Sequence, residues 1–206
     1  MKSLTIRQLL VAIATAVVGQ ANALEPEVYG SLRLQAEYVE PDNTPNNFND
    51  YTGLRDAYSR VGFKLSHNLS EDWSALFQLE LPLDLPNRDI QDPWDQEEPV
   101  RILKLQLSGP LGTIWYGQDW MPYYNQIAYP VDQFSSYYSC YSTFTSFRLN
   151  RTISYATPSW NGLQLSLASS QDNGTNHNRR NQYALSYNNQ GLTLAAGIDD
   201  IGGPNN

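Results

Sequence analysis

The feature that most constrains this chain is a repeated alternation of apolar and polar side chains. Between Val28 and Tyr38 the even positions are mostly apolar and the odd positions mostly polar. Successive side chains of a strand point to opposite faces, so the pattern gives one apolar face and one wet face. It recurs along the chain, and no segment has helical period. We predict an all-β fold of about nine strands, centred on residues 28–38, 61–65, 73–81, 103–107, 113–117, 152–155, 163–167, 182–187 and 192–198.

The connections between these strands are alternately long and short. Up-and-down strands of a transmembrane barrel have long loops on one side and short turns on the other, whereas a soluble sandwich has no reason to keep that order. Lipid leaves no water to satisfy an open strand edge. We therefore predict a transmembrane antiparallel up-and-down β-barrel. The long connections are 39–57, 82–98, 120–148 and 169–180, and the short ones are 67–72, 108–112, 158–161 and 188–191.

The N-terminal residues are typical of a secretory signal peptide. Met1–Gln8 is basic, Leu9–Gly19 is almost continuously apolar, and Ala21–Ala23 offers the small residues that a signal peptidase accepts. The apolar run is too short to span a bilayer as a helix, which needs about 20 residues. We predict a signal peptide over residues 1–23 and a barrel domain over residues 24–206, outside the cytoplasm.

Charge and hydropathy exclude two classes of protein. Loss of Lys2 and Arg7 with the signal peptide takes the formal net charge from −8 to −10. So acidic a chain is not expected to bind nucleic acid, which requires clustered Lys and Arg. A mean hydropathy of −0.49 excludes a helical membrane protein. It does not exclude a barrel, in which only every second residue meets lipid.

The sequence offers no catalytic or metal-binding constellation. Its histidines are His67, predicted in a short turn, and His177, predicted in a long loop. No nucleophile elbow, His-Glu-x-x-His or Cys-x-x-Cys motif occurs. The single cysteine, Cys140, allows no internal disulfide. We predict that the chain is not an enzyme and has no cofactor or bound metal.

Four segments, in order and at matching spacing, resemble the general Gram-negative porins. They are Val28–Leu32, Ser59–Lys64, Ser108–Thr113 and Arg148–Pro158, and the similarity runs from Val28 to Ile198. The resemblance implies a 16-stranded homotrimeric barrel in the outer membrane, among lipid and lipopolysaccharide. It also implies passive diffusion of small hydrophilic solutes and ions. The third long loop, 120–148, stands where the family folds a loop inward to narrow the pore.

The same resemblance implies a pore constriction, in which loop acids face basic residues of the wall. By position, Arg60 and Arg148 resemble the wall arginines and Asp132 resembles the loop acid. Arg33 and Lys64 share the wet face and could extend the basic side. Such charges put a transverse field across a narrow aqueous section. The alternative, that these arginines only solvate the lumen, stays open.

The chain departs from the family pattern at two wall positions. Gln118–Asp119 and Ser154 stand where the family often has basic residues, which puts anion preference in doubt. Acidic residues also crowd the second long loop, and they favour a weak cation preference. Equally, they could bind divalent ions among lipopolysaccharide headgroups. These residues are Asp84, Asp89, Asp92, Asp95, Glu97 and Glu98.

Strand number raises two further expectations. A narrow barrel of about eight strands fills its interior and conducts poorly, so a non-conducting barrel that acts as an adhesin or binding protein through its loops is the alternative. The long aromatic-rich loop 120–148 instead favours a wide lumen. Bacterial single-chain barrels have even strand numbers, whereas nine strands would leave the chain end outside. We therefore expect the N-terminal part of a longer porin, with about seven strands to follow.

Overall fold

The computed structural model of the chain describes residues 24–40, 50–93, 98–132, 136, 145–171 and 179–202. The predicted signal peptide, His177 and Cys140 lie outside these residues. Within the described part, eleven strands form a nine-stranded sheet and a two-stranded sheet. They are β1 (Glu25–Ser31), β2 (Leu34–Val39), β3 (Tyr51–Asp56), β4 (Ser59–Asn68), β5 (Ser74–Leu83), β6 (Ile102–Gly109), β7 (Gly112–Trp120), β8 (Arg148–Ala156), β9 (Leu163–Ser170), β10 (Arg180–Asn189) and β11 (Leu192–Ile201).

The larger sheet is an antiparallel meander. Its order is β1-β4-β5-β6-β7-β8-β9-β10-β11, and each strand from β4 onward pairs with the next one along the chain. Short turns after β4, β6, β8 and β10 alternate with long connections after β5, β7 and β9. The sheet is open in the described residues, with β1 and β11 at its edges. No described helix is both long and apolar enough to cross a membrane. The predicted up-and-down fold is confirmed.

The first hairpin differs from the prediction. The expected strand 28–38 is broken after Ser31, and part of the expected loop 39–57 is β3, which pairs with β2. At the break, the amide of Arg33 donates to Ser59 Oγ at 2.8 Å, and Tyr58 has a φ of +68°. The amide of Ala57 still donates to the carbonyl of Arg33 at 2.9 Å. The two sheets are therefore consecutive parts of one interrupted hairpin.

The strands also end later than the alternation indicated. His67 belongs to β4, which continues to Asn68, so its predicted place in a short turn is wrong. It pairs with Ala75 of β5. Alternation marks only the stretch where apolar and polar residues differ in burial. Backbone pairing continues beyond that stretch into polar residues at the strand ends.

The two faces of the larger sheet differ as the sequence predicted. On the apolar face, Val28 and Leu105 are 75% and 62% exposed. On the polar face, Gln78 is 8% exposed and Gln182 is fully buried. A continuous exposed apolar surface is unusual in a soluble monomer and is the surface a barrel presents to lipid. The polar side chains instead contact one another and the connections that fold over them.

A glycine at the β7–β8 pairing has little tolerance for a side chain. The register shifts between Gly117 and Asp119, and Gly117 has a φ of +135°. A Cβ at this position would overlap the carbonyl oxygen of Leu103. Glycine is therefore required both by the backbone conformation and by the close approach of β6.

We predict that Gly117→Ala destabilises the folded protein more than Gly191→Ala. Gly191 also has a positive φ, of +84°, but an added Cβ there meets nothing within 4 Å. Both substitutions carry a conformational cost of about 1 to 3 kcal/mol, and only Gly117→Ala adds a clash of about 1 kcal/mol or more. Urea unfolding in lipid vesicles measures the difference. Equal destabilisation by the two substitutions would contradict the close approach of β6 to Gly117.

Candidate functional site

The connection after β7 folds back over the polar face of the sheet. It contains a π-helical turn, Tyr124–Ala128, and a 3₁₀ turn, Tyr129–Val131. The amide of Tyr123 donates to Gln182 Oε1 at 3.0 Å, and Gln126 Nε2 donates to Ser166 Oγ at 2.6 Å. These contacts hold the first half of the segment against β9 and β10.

The same segment also packs against strand β11, at a glycine. A Cβ at Gly197 of β11 would lie 2.6 Å from Cδ1 of Ile127 and 3.2 Å from the ring of Tyr123. The absence of a side chain at this position lets the segment sit directly on the strand. The described part of the connection therefore covers the polar face of three strands, β9 to β11.

The far end of the connection is held by a second group of residues. Arg180 Nε donates to Asp199 Oδ1 at 2.7 Å, which joins β10 to β11. Thr145 Oγ1 donates to Asp199 Oδ2 at 2.8 Å, and Arg180 Nη1 donates to Ser146 Oγ at 2.6 Å. We name Thr145, Ser146, Arg180 and Asp199 the loop anchor.

Apolar and aromatic packing stiffens the base of the connection. Met121, Leu149 and Ala168 form a buried cluster between the connection and strands β8 and β9. The rings of Trp120 and Tyr124 stack with centroids 4.7 Å apart. Phe147 meets the Tyr124 ring edge-on at 5.0 Å. Both ends of the connection are thus fixed by packing as well as by hydrogen bonds.

A network of ion pairs begins on the polar face of β4 and β5. Arg60 Nε lies 3.9 Å from Glu80 Oε2, and the hydroxyl of Tyr29 donates to the same oxygen at 3.0 Å. Arg101, just before β6, donates from Nε to Glu80 Oε1 at 2.9 Å. Glu80 is therefore shared by two arginines and a tyrosine.

The network continues along the end of the sheet that carries the long connections. Arg101 Nη1 donates to Asp92 Oδ2 at 2.9 Å. Arg148 Nη2 lies 3.3 Å from the same oxygen and 2.7 Å from Glu98 Oε2. The guanidinium carbon of Arg148 also lies 4.7 Å from the ring centroid of Trp120. We name the six ionised residues the mouth network: Arg60, Glu80, Asp92, Glu98, Arg101 and Arg148.

The structure brings two of the predicted site residues, Arg60 and Arg148, into this one network. Lys64 makes other contacts, with Nζ 3.4 Å from Glu27 Oε1 and 4.6 Å from the ring centroid of Tyr29. Arg33 donates from Nε to Ser31 Oγ at 3.0 Å. Asp132 accepts a hydrogen bond from Tyr124 within its own segment, at 3.4 Å. Their roles in a constriction stay predictions.

Sequence reasoning missed several members of the site. Arg101 lies between a long loop and a predicted strand, where no periodicity marks it. Lys104 and Asp119 form a further pair on the polar face, with Nζ 2.5 Å from Oδ2. The sequence singled out Asp119 only as a position where the chain departs from the family pattern. The antiparallel register of β10 and β11 is the one signal that could have found the Arg180–Asp199 pair.

Several acidic side chains of the second long loop bind other residues of the chain, although the sequence indicated that they could bind ions. Asp92 and Glu98 bind arginines of the mouth network, and Asp84 Oδ2 accepts a hydrogen bond from Asn87 Nδ2 at 2.8 Å. Among the described residues, no three His, Cys, Asp or Glu side chains lie where they could hold a metal ion. Asp95 and Glu97 lie outside that part of the chain.

Comparison with known proteins identifies relatives by sequence and by fold. The Gram-negative porin family matches residues 9–205, and no curated protein sequence matches the chain. An anion-selective porin from Comamonas acidovorans superposes with a TM-score of 0.67 at 21% identity, over 85% of this chain and 57% of that one. Salmonella typhi OmpF, in complex with daunomycin, gives 0.60 at 17% identity, over 87% and 55%.

A loop-deleted OmpT from Vibrio cholerae gives a TM-score of 0.59 at 15% identity, over 84% of this chain and 52% of that one. The chain thus spans a little over half the length of these solved structures. At such identities the likeness shows the fold, and the family match over residues 9–205 shows the relationship. This chain belongs to the Gram-negative porin family.

Proposed function

We propose that the whole protein forms a water-filled channel in the outer membrane through which small hydrophilic solutes and ions diffuse. The observation that carries this proposal is the segment after β7, which folds over the polar face and is held at both ends. A segment placed there narrows an aqueous passage and leaves it open to water, because the wall behind it is polar. We propose it as the pore-constricting loop predicted over residues 120–148.

The two faces of the sheet support the same function. Exposed apolar side chains such as Val28 and Leu105 suit contact with lipid. The other face carries charged and amide side chains, which stabilise water and dissolved ions close to the wall.

The assembly and surroundings follow from the same family resemblance. We propose that the protein is a homotrimer, embedded in outer-membrane lipid and lipopolysaccharide, after export by a cleaved signal peptide over residues 1–23. Cross-linking of the protein in isolated outer membranes measures the number of subunits. A protein that cross-links only to itself as a dimer, or not at all, would contradict the trimer.

Single-channel recording tests the channel directly. Purified protein is added to a planar lipid bilayer in KCl, and we expect stepwise increases in current of uniform size. The control is the same preparation after heat denaturation, which should give none. Folded protein that inserts without conductance steps would overturn the channel and favour a non-conducting barrel that binds partners through its long loops.

A further inference from the structure

The basic side chains near the long-connection end of the wall are matched by carboxylates. Arg60, Arg101, Lys104 and Arg148 each have a carboxylate oxygen at 3.9 Å or less. An ion pair presents a dipole to the solution, and its field falls off much faster than that of a lone charge. These residues therefore contribute far less positive potential than their number indicates.

Two of the matching carboxylates come from the connection between β5 and β6. Asp92 lies between Arg101 and Arg148, with its side chain 3% exposed. Glu98 binds Arg148 and has a side chain that is 23% exposed. Gln118 Nε2 donates to Glu98 Oε1 at 2.6 Å, which orients that carboxylate. The connection is thus fastened to the wall where it neutralises two arginines.

Burial makes this neutralisation stronger than that of surface pairs. The side chains of Arg101 and Arg148 are 4% and 8% exposed. Salt screens such buried pairs weakly. The two carboxylates consequently stay with the arginines under the ionic conditions outside a cell, and the compensation is a fixed property of the wall.

We infer that Asp92 and Glu98 determine the ion selectivity of the channel by cancelling the charges of Arg101 and Arg148. The inference rests on the proposed channel function. It assigns a role to the second long connection that is separate from the role of the segment after β7. With both carboxylates ionised, the mouth network holds three positive and three negative groups. Converting these two acids to amides leaves an excess of two positive charges beside the passage.

The test is the reversal potential of single channels under a KCl gradient. The double substitution Asp92→Asn and Glu98→Gln is expected to raise the ratio of chloride to potassium permeability about sevenfold, since a local potential change of about 1 kT per elementary charge raises the anion concentration and lowers the cation concentration by about e-fold each. The shift should shrink from about 0.1 M to about 1 M salt, because screening shortens from about 10 Å to about 3 Å.

The same connection supplies a matched control. Asp89 accepts a hydrogen bond from the neighbouring amide of Ile90 at 2.8 Å and is exposed. Asp89→Asn removes one negative charge from this connection without breaking a pair of the mouth network. We expect its reversal potential to stay close to that of the unmodified protein, whereas Asp92→Asn alone moves in the anion direction.

A substitution of the arginine partner tests the inference independently if the double variant fails to fold. Arg148→Gln leaves Glu98 without this partner and should shift selectivity towards cations. Unchanged reversal potentials in both the double variant and Arg148→Gln would overturn this inference and would leave the proposed channel function standing. Absence of any conductance in the unmodified protein would overturn the proposed function, and this inference with it.

Discussion

Leu105→Arg is expected to destabilise the folded protein strongly in a bilayer, whereas Gln106→Arg is tolerated. The two residues are neighbours in β6 and point to opposite faces. Leu105 lies mid-strand on the apolar face and is 62% exposed. An arginine on the lipid face near the bilayer midplane costs about 2 to 4 kcal/mol. On the polar face the same side chain stays in water.

Unfolding by urea in lipid vesicles, followed by tryptophan fluorescence, measures both variants. The unfolding midpoint of Leu105→Arg should fall well below that of Gln106→Arg. Both variants gain the same arginine in the same strand, so the change in net charge cannot account for a difference between them. Equal midpoints would mean that Leu105 does not face lipid, and the assignment of the two faces would be wrong.

Arg180→Gln is expected to give larger and noisier single-channel currents. Arg180 holds Asp199 and Ser146 in the loop anchor, and its removal leaves the mostly buried Asp199 carboxylate without this cation. Breaking a buried ion pair in this way costs about 3 to 5 kcal/mol, several times the net stabilisation of about 1 kcal/mol from one hydrogen bond. The far end of the segment after β7 should then leave the wall and widen the passage.

The adjacent Arg179→Gln is the control for this variant. It removes the same charge from an exposed neighbouring residue, outside the loop anchor. Conductance and current noise are compared in planar bilayers at high salt, where the loss of a charge has little effect on its own. If both variants conduct like the unmodified protein, the loop anchor does not hold the segment after β7 in place.

The regular part of the fold could be predicted because its cause is local. Alternation of side chains, as in Leu163–Leu167 or Tyr183–Tyr187, follows from the two-residue repeat of a strand with different surroundings on each face. Strand β3 was missed because Tyr51–Asp56 does not alternate apolar and polar residues, so its sequence does not mark a strand. Its pairing with β2 is instead supported by a contact between Arg55 Nε and Glu37 Oε1, at 2.9 Å.

The candidate site was predicted only in part, for a different physical reason. Arg60 and Arg148 stood out because they resemble family positions. Asp92 and Glu98 stood out only as acids of the second long loop. Their pairing was not predicted, because ion pairs such as Arg101–Asp92 join residues whose proximity depends on how a long connection folds. Sequence spacing does not determine that. Sequence therefore identified charges on the wall but not which of them are compensated.

The position of the loop anchor in the chain has a consequence for assembly. Nearly every strand of the larger sheet pairs with its neighbour in sequence, so strands can be added one hairpin at a time with little loop-closure entropy. The segment after β7 is different, because its partners Gln182 and Asp199 come later in the chain. It cannot reach its final place until β10 and β11 have formed. An intermediate that ends at β9 would lack both partners, so the segment could take its place against the polar face only after β10 and β11 had been added.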